Sequence, residues 1–329
     1  MAAFAPATLS GDAAAWRGAS LCSVTQFTEA GLDLVLRRAE ELRLMDRSAA
    51  RARRAGAVLA NVFYEPSTRT SCSFQAAMLR LGGSVICVAE STSSAKKGET
   101  LEDTARSLGC YADVVVLRHP EAGAAARAAG ALPPGLPLLN AGDGVGEHPT
   151  QAVLDLYTLC RELSPAGAPA LPPRACLKGK TVVLVGDLKH GRTVHSLAKM
   201  LAAFDVALVF VAPPELAMPA GVAAAVDAGT ATRAEAPSLA AALADADALY
   251  VTRVQKERFP DAAAYEAVRG SYVVDAQLMK TAKPSCAVLH PLPRVDEISA
   301  DFDSDPRAAY FRQMRNGLFA RMALLDLVL

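Results

Sequence analysis

The fold is decided by residues 57–81, which read AVLANVFYEPSTRTSCSFQAAMLRL. Residues 57–63 form a short apolar run, which is typical of a buried strand. The apolar side chains after it follow the i, i+3, i+4, i+7 spacing of one helix face: Phe74, Ala77, Met78 and Leu81. Pro66 disfavours a helical backbone at the residue before it, Ser67 is a suitable N-cap, and Gly82-Gly83 supplies a stop. The pattern predicts a strand, a tight turn and a helix.

The predicted turn gathers groups that bind anions. A helix start presents backbone N–H groups that have no partner within the helix, together with the positive end of the helix dipole. Three hydroxyl residues and one arginine fall in this first turn: Ser67, Thr68, Arg69 and Thr70. Considered alone, they are as typical of a well-capped helix with a solvated arginine as of a phosphate site. The rest of the chain must decide between these two interpretations.

Length and composition limit the classes of protein to which the chain can belong. A length of 329 residues and a hydrophobic content of 52% suggest two domains. The 34 basic residues balance 34 acidic ones, which argues against nucleic acid or an anionic membrane as a partner. No apolar run approaches the ~20 residues of a membrane span, and residues 1–6 lack the features of a signal peptide. We therefore expect a cytoplasmic protein without a membrane partner.

The cysteines support the same compartment. There are seven, an odd number, and none lies in a CxxC pair. This usage fits a reducing environment and indicates neither a disulfide framework nor a zinc site. We expect all seven to be small buried side chains.

The first half of the chain alternates helical and strand patterns. Residues 28–54 show a charged helical pattern, and residues 84–88 form a second strand. A polar loop at 91–99 follows that strand and opens a helix that runs to about Leu108. The tip of this loop would present Lys97.

Two further strands of the first half lead to polar side chains. Residues 113–118 form a β-branched run typical of a central parallel strand, and Arg118 is its last residue. Residues 137–141 lead into a glycine-rich segment that matches neither a dinucleotide-binding fingerprint nor a Walker A motif. His148 and Gln151 follow at a helix start and face the same way. Because ligands gather at the carboxyl ends of parallel strands, these side chains are candidates for a binding site.

A Pro/Gly-rich segment at 164–173 marks the junction between two domains. Beyond it, four apolar strands alternate with alanine-rich helices: residues 181–185, 206–211, 248–252 and 286–290. Arg192 lies in the first helical turn after the first of these strands, and Arg253 and Gln255 follow the third. The alternation predicts an α/β fold with doubly wound parallel sheets, and a long final helix is expected from about Asp305 to Leu329.

The cationic side chains are concentrated where ligands bind, although the chain has no net charge. Strand ends or helix starts carry Arg69, Arg118, His148, Arg192 and Arg253, and a loop carries Lys97. Arginine binds phosphate and carboxylate bidentately, so the implied ligands are a phosphate compound and a polycarboxylate. No residue pattern suggests covalent catalysis, a metal or a cofactor. The expected chemistry is a direct transfer between two bound anions, promoted by proximity and electrostatic stabilisation.

Six motifs, in the family's order, carry a family resemblance. They are Ser67–Thr70, Arg118–Pro120, His148–Gln151, Gly186–Leu197, Arg253–Arg258 and His290–Arg294. From about Leu21 to Leu329 the chain resembles aspartate transcarbamoylase catalytic chains, and most of all the transcarbamoylase domain of the animal multifunctional pyrimidine-synthesis protein. The resemblance implies transfer of the carbamoyl group from carbamoyl phosphate to the amine of L-aspartate, in de novo pyrimidine biosynthesis. It implies no cofactor, a homotrimer with shared active sites, and other pyrimidine-pathway domains as candidate partners.

The resemblance also implies a division of labour along the chain. Residues 1–164 would bind carbamoyl phosphate, 165–179 would form a linker, and 180–304 would bind aspartate. Residues 305–329 would form a helix that returns to the first domain. Two α/β domains of transcarbamoylase type are therefore expected, each with a doubly wound parallel sheet.

Individual residues take roles from the matching motifs. Catalysis would involve Arg69, Thr70, Lys97, Arg118 and His148. Carbamoyl phosphate would contact Ser67, Thr68, Arg69, Thr70, Ser93, Lys97, Arg118, His148 and Gln151. Aspartate would contact Lys97, Arg192, Arg253, Gln255, Pro291 and Leu292. Ser93 and Lys97 would come from the neighbouring subunit, the Leu292–Pro293 bond would be cis, and His119 and His195 would be structural.

Three alternatives compete with this interpretation. Ornithine transcarbamoylases place arginine after the Ser-Thr-Arg-Thr motif and cysteine in the His-Cys-Leu-Pro loop, where this chain has Ser71 and Pro291. A nicotinamide-dependent dehydrogenase would explain a doubly wound domain, but its fingerprint is missing. A catalytically inactive homologue that serves only as an interaction partner would be expected to have lost motif residues, and this chain retains them.

Overall fold

The computed structural model describes residues 5–89, 97–165, 172–255, 259, 261–268, 270 and 272–329. The chain forms two compact units, of which the first comprises Met1–Leu154 and Asn316–Leu329 and the second comprises Asp155–Arg315. Part of the predicted linker, residues 166–171, lies outside the described residues. The domain bounds and their ligands therefore remain a prediction.

A four-stranded parallel sheet forms the centre of the first unit. Its strands are β1 (Val58–Phe63), β2 (Ser84–Ala89), β3 (Val114–His119) and β4 (Leu138–Asp143), in the order β2-β1-β3-β4. Its helices are α1 (Glu29–Leu44), α2 (Arg47–Ala52), α3 (Thr68–Leu81), α4 (Leu101–Gly109) and α5 (Ala124–Ala131), and α6 (Pro149–Leu163) begins here and ends in the second unit. The central strand β3 is buried over Val114–Leu117, as expected for a parallel strand covered on both faces.

The second unit contains a five-stranded parallel sheet. Its strands are β5 (Thr181–Gly186), β6 (Ala207–Val211), β7 (Thr232–Glu235), β8 (Ala248–Thr252) and β9 (Ala287–Leu289), in the order β7-β6-β5-β8-β9. Its helices are α7 (Pro173–Leu177), α8 (Arg192–Leu201), α9 (Ala220–Asp227), α10 (Leu239–Leu243) and α11 (Ala262–Val268), and α12 (Tyr310–Val328) begins here and ends in the first unit. The predicted α/β class, with two parallel doubly wound sheets, is confirmed.

The strand, turn and helix predicted from residues 57–81 are present as β1 and α3. Gly82 ends α3 with a φ of 93°, in the left-handed region that favours glycine. A Cβ atom at this position would lie 1.8 Å from the carbonyl oxygen of Arg51. Glycine is therefore required here both by backbone conformation and by the close approach of α2.

Three secondary-structure predictions need correction. The single helix predicted over 28–54 is two helices, because Asp46 starts a second helix by accepting a hydrogen bond from the Ser48 backbone N–H at 2.8 Å. The sequence pattern missed β7, because its four residues are all exposed and lack the apolar side chains that indicate a strand. The last helix begins at Tyr310 and not near Asp305, because Ala308 first pairs with Val288 of β9.

The expectation that every cysteine is buried was also wrong. Four are buried, but Cys72, Cys87 and Cys110 are exposed. Cys87 lies on β2, an edge strand. The apolar sequence of β2 resembles that of a buried strand. None of the described helices is long and apolar enough to cross a membrane.

The predicted return of the C-terminal helix to the first domain is confirmed, and a buried carboxylate fixes it there. Asp326 of α12 is 1% exposed and pairs with three arginines. Arg53 donates to it through Nε at 2.9 Å and Nη2 at 2.6 Å, Arg54 Nε lies 3.1 Å away, and Arg38 donates through Nη1. Burial raises the pKa of Asp326, but the hydrogen bonds from Arg53 and Arg38 and the charge of Arg54 outweigh burial and lower it overall.

We predict that Asp326→Asn destabilises the protein by about 2–3 kcal/mol at neutral pH, because three arginines lose their shared charge partner. The expected loss is below that of a fully buried pair, since the arginines remain 19–34% exposed. Because the folded-state pKa of Asp326 is lowered, this stabilisation is present at neutral pH and disappears as the pH falls through that pKa. Urea unfolding at several pH values measures the difference.

Asp33→Asn is the matched control, because Asp33 forms an exposed pair with Arg37 and should contribute less than about 0.5 kcal/mol. Equal losses for Asp326→Asn and Asp33→Asn, or a difference that does not shrink in acid, would contradict this role for Asp326.

Candidate active site

Each sheet has one point at which the order of its strands reverses, between β1 and β3 in the first unit and between β5 and β8 in the second. Ligands of open α/β sheets bind at the carboxyl ends of the strands beside such a point. In the first unit, α3 begins after β1, and Arg118 is the second-last residue of β3. In the second unit, α8 begins after β5 and Arg253 follows β8. The predicted arginines therefore flank the reversal point of each sheet.

The start of α3 carries the predicted phosphate ligands. Ser67 occupies the N-cap position, but its side chain makes no capping hydrogen bond to the helix. Thr70 is buried, whereas Arg69 is half-buried and Thr68 is exposed. The hydroxyl of Ser67 is thus not used to cap the helix, and the first N–H groups of α3 have no partner within the helix.

Ser71, which follows the Ser67–Thr70 turn, links α3 to the sheet. Its Oγ accepts a hydrogen bond from Asn61 Nδ2 at 2.9 Å and another from Gln75 Nε2 at 3.0 Å. The position after the Ser67–Thr70 motif therefore has a small polar side chain that stabilises the junction of β1 and α3.

Arg118 is oriented by a carboxylate that the sequence patterns did not single out. Its side chain is 11% exposed, and its Nη2 donates to Oε1 of Glu65 at 2.8 Å. Arg118 pairs in register with Phe63 on the adjacent strand, so it lies at the same sheet edge as the Ser67–Thr70 turn. The only sequence signal for Glu65 was its place directly before Pro66 in that turn.

The loop from β4 to α6 positions His148 and Gln151. Asp143 accepts hydrogen bonds from the backbone N–H groups of Glu147 at 2.8 Å and Gly123 at 3.0 Å, which closes the loop. Gly144 has a φ of 57°, and a Cβ there would lie 2.3 Å from the Pro120 carbonyl oxygen. His148 is 2% exposed, and Gln151 donates its backbone N–H to the His148 carbonyl at 3.0 Å. These two predicted ligands therefore share one helical turn.

Lys97 lies apart from this arrangement. It is exposed and forms no hydrogen bond or ion pair with the part of the chain that the structure describes. Ser93, its predicted companion, lies outside the described residues. The position of Lys97, beyond the edge strand β2, gives it no contact with the predicted ligands of its own unit.

In the second unit, buried Asp187 connects the turns that follow β5 and β8. Its Oδ1 accepts a hydrogen bond from the His190 backbone N–H at 2.9 Å, and its Oδ2 accepts one from the Gln255 backbone N–H at 3.4 Å. Gly186, with a φ of 111°, packs so closely that a Cβ would lie 2.3 Å from the Thr252 carbonyl oxygen. The turns that carry Arg192, Arg253 and Gln255 are therefore held together.

The segment after β9 carries the remaining predicted aspartate ligands, Pro291 and Leu292. The Leu292–Pro293 bond is cis, as predicted, and Leu292 has a φ of 57°. Because β9 is the neighbour of β8, this segment lies at the same sheet edge as Arg253. The structure thus groups the predicted ligands of the second unit in the segments that follow three adjacent strands.

Two motif histidines make structural contacts, as expected. His195 donates Nε2–H to the Leu188 carbonyl at 2.7 Å, and burial lowers its pKa. His119 accepts the Glu121 backbone N–H at 3.1 Å and packs against the ring of Tyr64.

Comparison with known proteins finds two family models and several relatives that match this chain. Family models of aspartate/ornithine carbamoyltransferase match the carbamoyl-P binding domain to residues 19–161 and the Asp/Orn binding domain to residues 178–328. The multifunctional protein CAD of Squalus acanthias is 49% identical over 315 residues, which are 95% of this chain and 13% of that protein. The aspartate carbamoyltransferase catalytic subunit of Thermococcus gammatolerans is 45% identical over 317 residues, covering 95% of this chain and 98% of that protein.

A solved structure leads to the same group of proteins. Aspartate transcarbamoylase from Trypanosoma cruzi, in complex with carbamoyl phosphate and aspartate, superimposes with a TM-score of 0.86 at 42% identity, covering 96% of this chain and 98% of that one. The resemblance found in the six sequence motifs is confirmed, and the chain belongs to the aspartate/ornithine carbamoyltransferase family.

Proposed function

We propose that this chain is an aspartate carbamoyltransferase, which transfers the carbamoyl group of carbamoyl phosphate to the amine of L-aspartate in de novo pyrimidine biosynthesis. The products are N-carbamoyl-L-aspartate and phosphate. The observation that carries the proposal is the placement of arginines beside the reversal point of both sheets. The relatives that bear the same activity in their names support it.

Carbamoyl phosphate is assigned to the first unit. The start of α3 would hold the phosphate through Ser67, Thr68, Arg69, Thr70 and the helix N–H groups. Arg118, His148 and Thr70 would polarise the carbamoyl oxygen, and Gln151 would bind the carbamoyl amino group. The bond between Arg118 and Glu65 supports this role, because it fixes the guanidinium before the substrate arrives.

Aspartate is assigned to the second unit. Arg192, Arg253 and Gln255 would bind its two carboxylates, while the carbonyl groups of Pro291 and Leu292 would orient its amine. Two arginines favour a dicarboxylate over ornithine, whose side chain is cationic and would require an acidic partner. The small Ser71 at the position that is arginine in ornithine enzymes agrees with this choice.

The proposed reaction needs no covalent enzyme intermediate. The neutral amine of aspartate attacks the carbamoyl carbon, and negative charge develops on the carbamoyl oxygen as a tetrahedral intermediate forms. Arg118, His148 and Thr70 stabilise that charge. Collapse breaks the bond between carbon and the phosphate oxygen, phosphate leaves, and the amine loses its proton. Proximity and electrostatics supply the catalysis.

We further propose a homotrimer in which Ser93 and Lys97 act in the site of a neighbouring subunit. Exposed apolar side chains on one edge of the first unit support a partner surface, since Leu79 is 56% exposed on α3 and Ile86 is 38% exposed on the edge strand β2. Three exposed cysteine thiols suit the cytoplasm. Because the chain spans 13% of the CAD protein, further pyrimidine-pathway domains are proposed partners.

We predict that Arg192→Ala and Arg253→Ala each lower kcat/KM for aspartate by about 30-fold or more, because truncation leaves a substrate carboxylate without its charged partner. The Kd for carbamoyl phosphate should remain within about threefold, since that ligand is assigned to the other unit. Arg69→Ala should show the opposite pattern. Steady-state kinetics and calorimetry measure the two effects.

Arg233→Ala is the control for removing an arginine from the second unit, because Arg233 pairs with Asp227 on the surface and lies outside the proposed site. Equal loss of carbamoyl phosphate affinity in Arg192→Ala, Arg253→Ala and Arg69→Ala would contradict the assignment of one ligand to each unit.

We predict that Lys97→Ala and Arg253→Ala homotrimers are each nearly inactive but that mixed trimers recover activity. A subunit with Lys97→Ala keeps Arg253 and can receive Lys97 from a neighbour that carries Arg253→Ala. Random mixing in a closed three-membered ring should restore roughly a quarter of the sites. The two variants are denatured together, refolded and assayed for carbamoyl aspartate.

The controls are each variant refolded alone and a mixture of the two made after refolding. Activity of the co-refolded sample that does not exceed the summed controls would show that Lys97 acts within its own chain or has no role in the reaction.

A further inference from the structure

The ring of His290 fixes the turn that carries Pro291 and Leu292. His290 Nδ1 accepts the Leu292 backbone N–H at 2.7 Å, so the ring proton lies on Nε2, which donates to Glu297 Oε1 at 2.7 Å. Burial raises the pKa of Glu297, but the hydrogen bond from His290, the charge of His290 and hydrogen bonds from backbone N–H groups together outweigh burial and lower that pKa overall. Glu297 is therefore an ionised acceptor, and the His290 ring links it to the backbone of the turn that carries Pro291 and Leu292.

A second set of buried groups, formed by Gln313, Asp155 and Tyr250, binds the backbone at the start of the same turn. The backbone N–H of His290 donates to Gln313 Oε1 at 2.8 Å, and Gln313 Nε2 donates to Asp155 Oδ1 at 2.7 Å. The hydroxyl of Tyr250 donates to Asp155 Oδ2 at 2.8 Å. Gln313 is 1% exposed, and Asp155 and Tyr250 are fully buried. The set joins α6, β8 and α12 to the end of β9 within the second unit.

The orientation of Gln313 is fixed by the backbone N–H of His290, which can only donate. The Oε1 atom of Gln313 must therefore face that N–H, and its amino group faces Oδ1 of Asp155. Burial and the charge of Asp155 raise the pKa of Tyr250, so its hydroxyl remains a donor to Oδ2 of Asp155. The two ends of this glutamine side chain cannot exchange without placing donor against donor.

We propose that Gln313 is a positioning residue for the aspartate amine. It touches no proposed ligand, but through the His290 backbone it sets the turn whose Pro291 and Leu292 carbonyls would orient the attacking nitrogen. The φ of 57° at Leu292 supports this, because a leucine in the left-handed region must be held by its surroundings. The inference rests on the proposed function.

The test exchanges the hydrogen-bond donor and acceptor between Gln313 and Asp155. Gln313→Glu places a second carboxylate against Asp155, and Asp155→Asn places an amide donor against the glutamine amino group. In the double variant Asp155→Asn/Gln313→Glu, the introduced carboxylate accepts both from the introduced amide and from the His290 N–H. The double variant keeps the net charge and the bonding pattern of the wild type.

We predict that each single replacement lowers kcat/KM for aspartate by about tenfold or more, because small displacements of an attacking group are costly. The Kd for carbamoyl phosphate should remain within about twofold. The double variant should recover aspartate kcat/KM to within about threefold of wild type, which is a coupling that a double-mutant cycle measures.

A further pair of variants guards against misfolding. Gln313→Met removes both hydrogen bonds without adding a charge, and it should keep a folded trimer while losing aspartate efficiency selectively. Gln277→Met makes the same change at an exposed glutamine of the second unit and should behave as wild type. Thermal melting of every variant separates loss of folding from loss of positioning.

The outcomes are distinguishable. Three outcomes would each overturn this inference: folded Gln313 variants with unchanged aspartate kcat/KM, a double variant no better than the worse single one, or a parallel loss of carbamoyl phosphate affinity. In each of these cases, wild-type activity would still uphold the proposed function. Absence of carbamoyl aspartate formation by the wild type would overturn the proposed function itself.

Discussion

A parallel sheet collects side chains at one edge, but it does not orient them, and in this chain buried and half-buried carboxylates provide the orientation. Asp143 closes the loop that ends at His148, and Asp187 joins the turns that follow β5 and β8. Glu65 holds Arg118, and Glu297 holds the ring of His290. Each carboxylate accepts directed hydrogen bonds, so its charge is compensated locally. The orientation of the cationic side chains at the proposed ligand sites thus depends on these carboxylates.

This arrangement explains how a chain of zero net charge can place cations at the two proposed anion sites. The arginines face the carboxyl ends of the strands, whereas many acidic residues serve as braces or as partners of arginines elsewhere. Asp326, which is shared by three arginines far along the sequence, illustrates the second use. Field strength at a site is therefore a matter of placement and cannot be read from the overall charge.

The sequence predicted those features that depend on short-range pattern. The strand and helix around Ser67 follow from local apolar spacing and from Pro66 and Gly82. The polar edge strand β7 was missed because an exposed strand needs no apolar alternation. Gln313 and Asp155 gave no signal either, since they lie 158 positions apart and meet only in the folded unit. The proposed roles of Ser93 and Lys97 require a neighbouring subunit, which no pattern within one chain encodes.

The most direct test of the central claim follows the carbamoyl carbon. Carbamoyl phosphate labelled with ¹³C at the carbamoyl carbon is incubated with the purified protein and either L-aspartate or L-ornithine, and carbon and phosphorus NMR record the products. The account predicts equimolar labelled N-carbamoyl-L-aspartate and phosphate with aspartate, and only uncatalysed decomposition with ornithine. Labelled carbamoyl ornithine, or the absence of a carbamoylated product with aspartate, would contradict it.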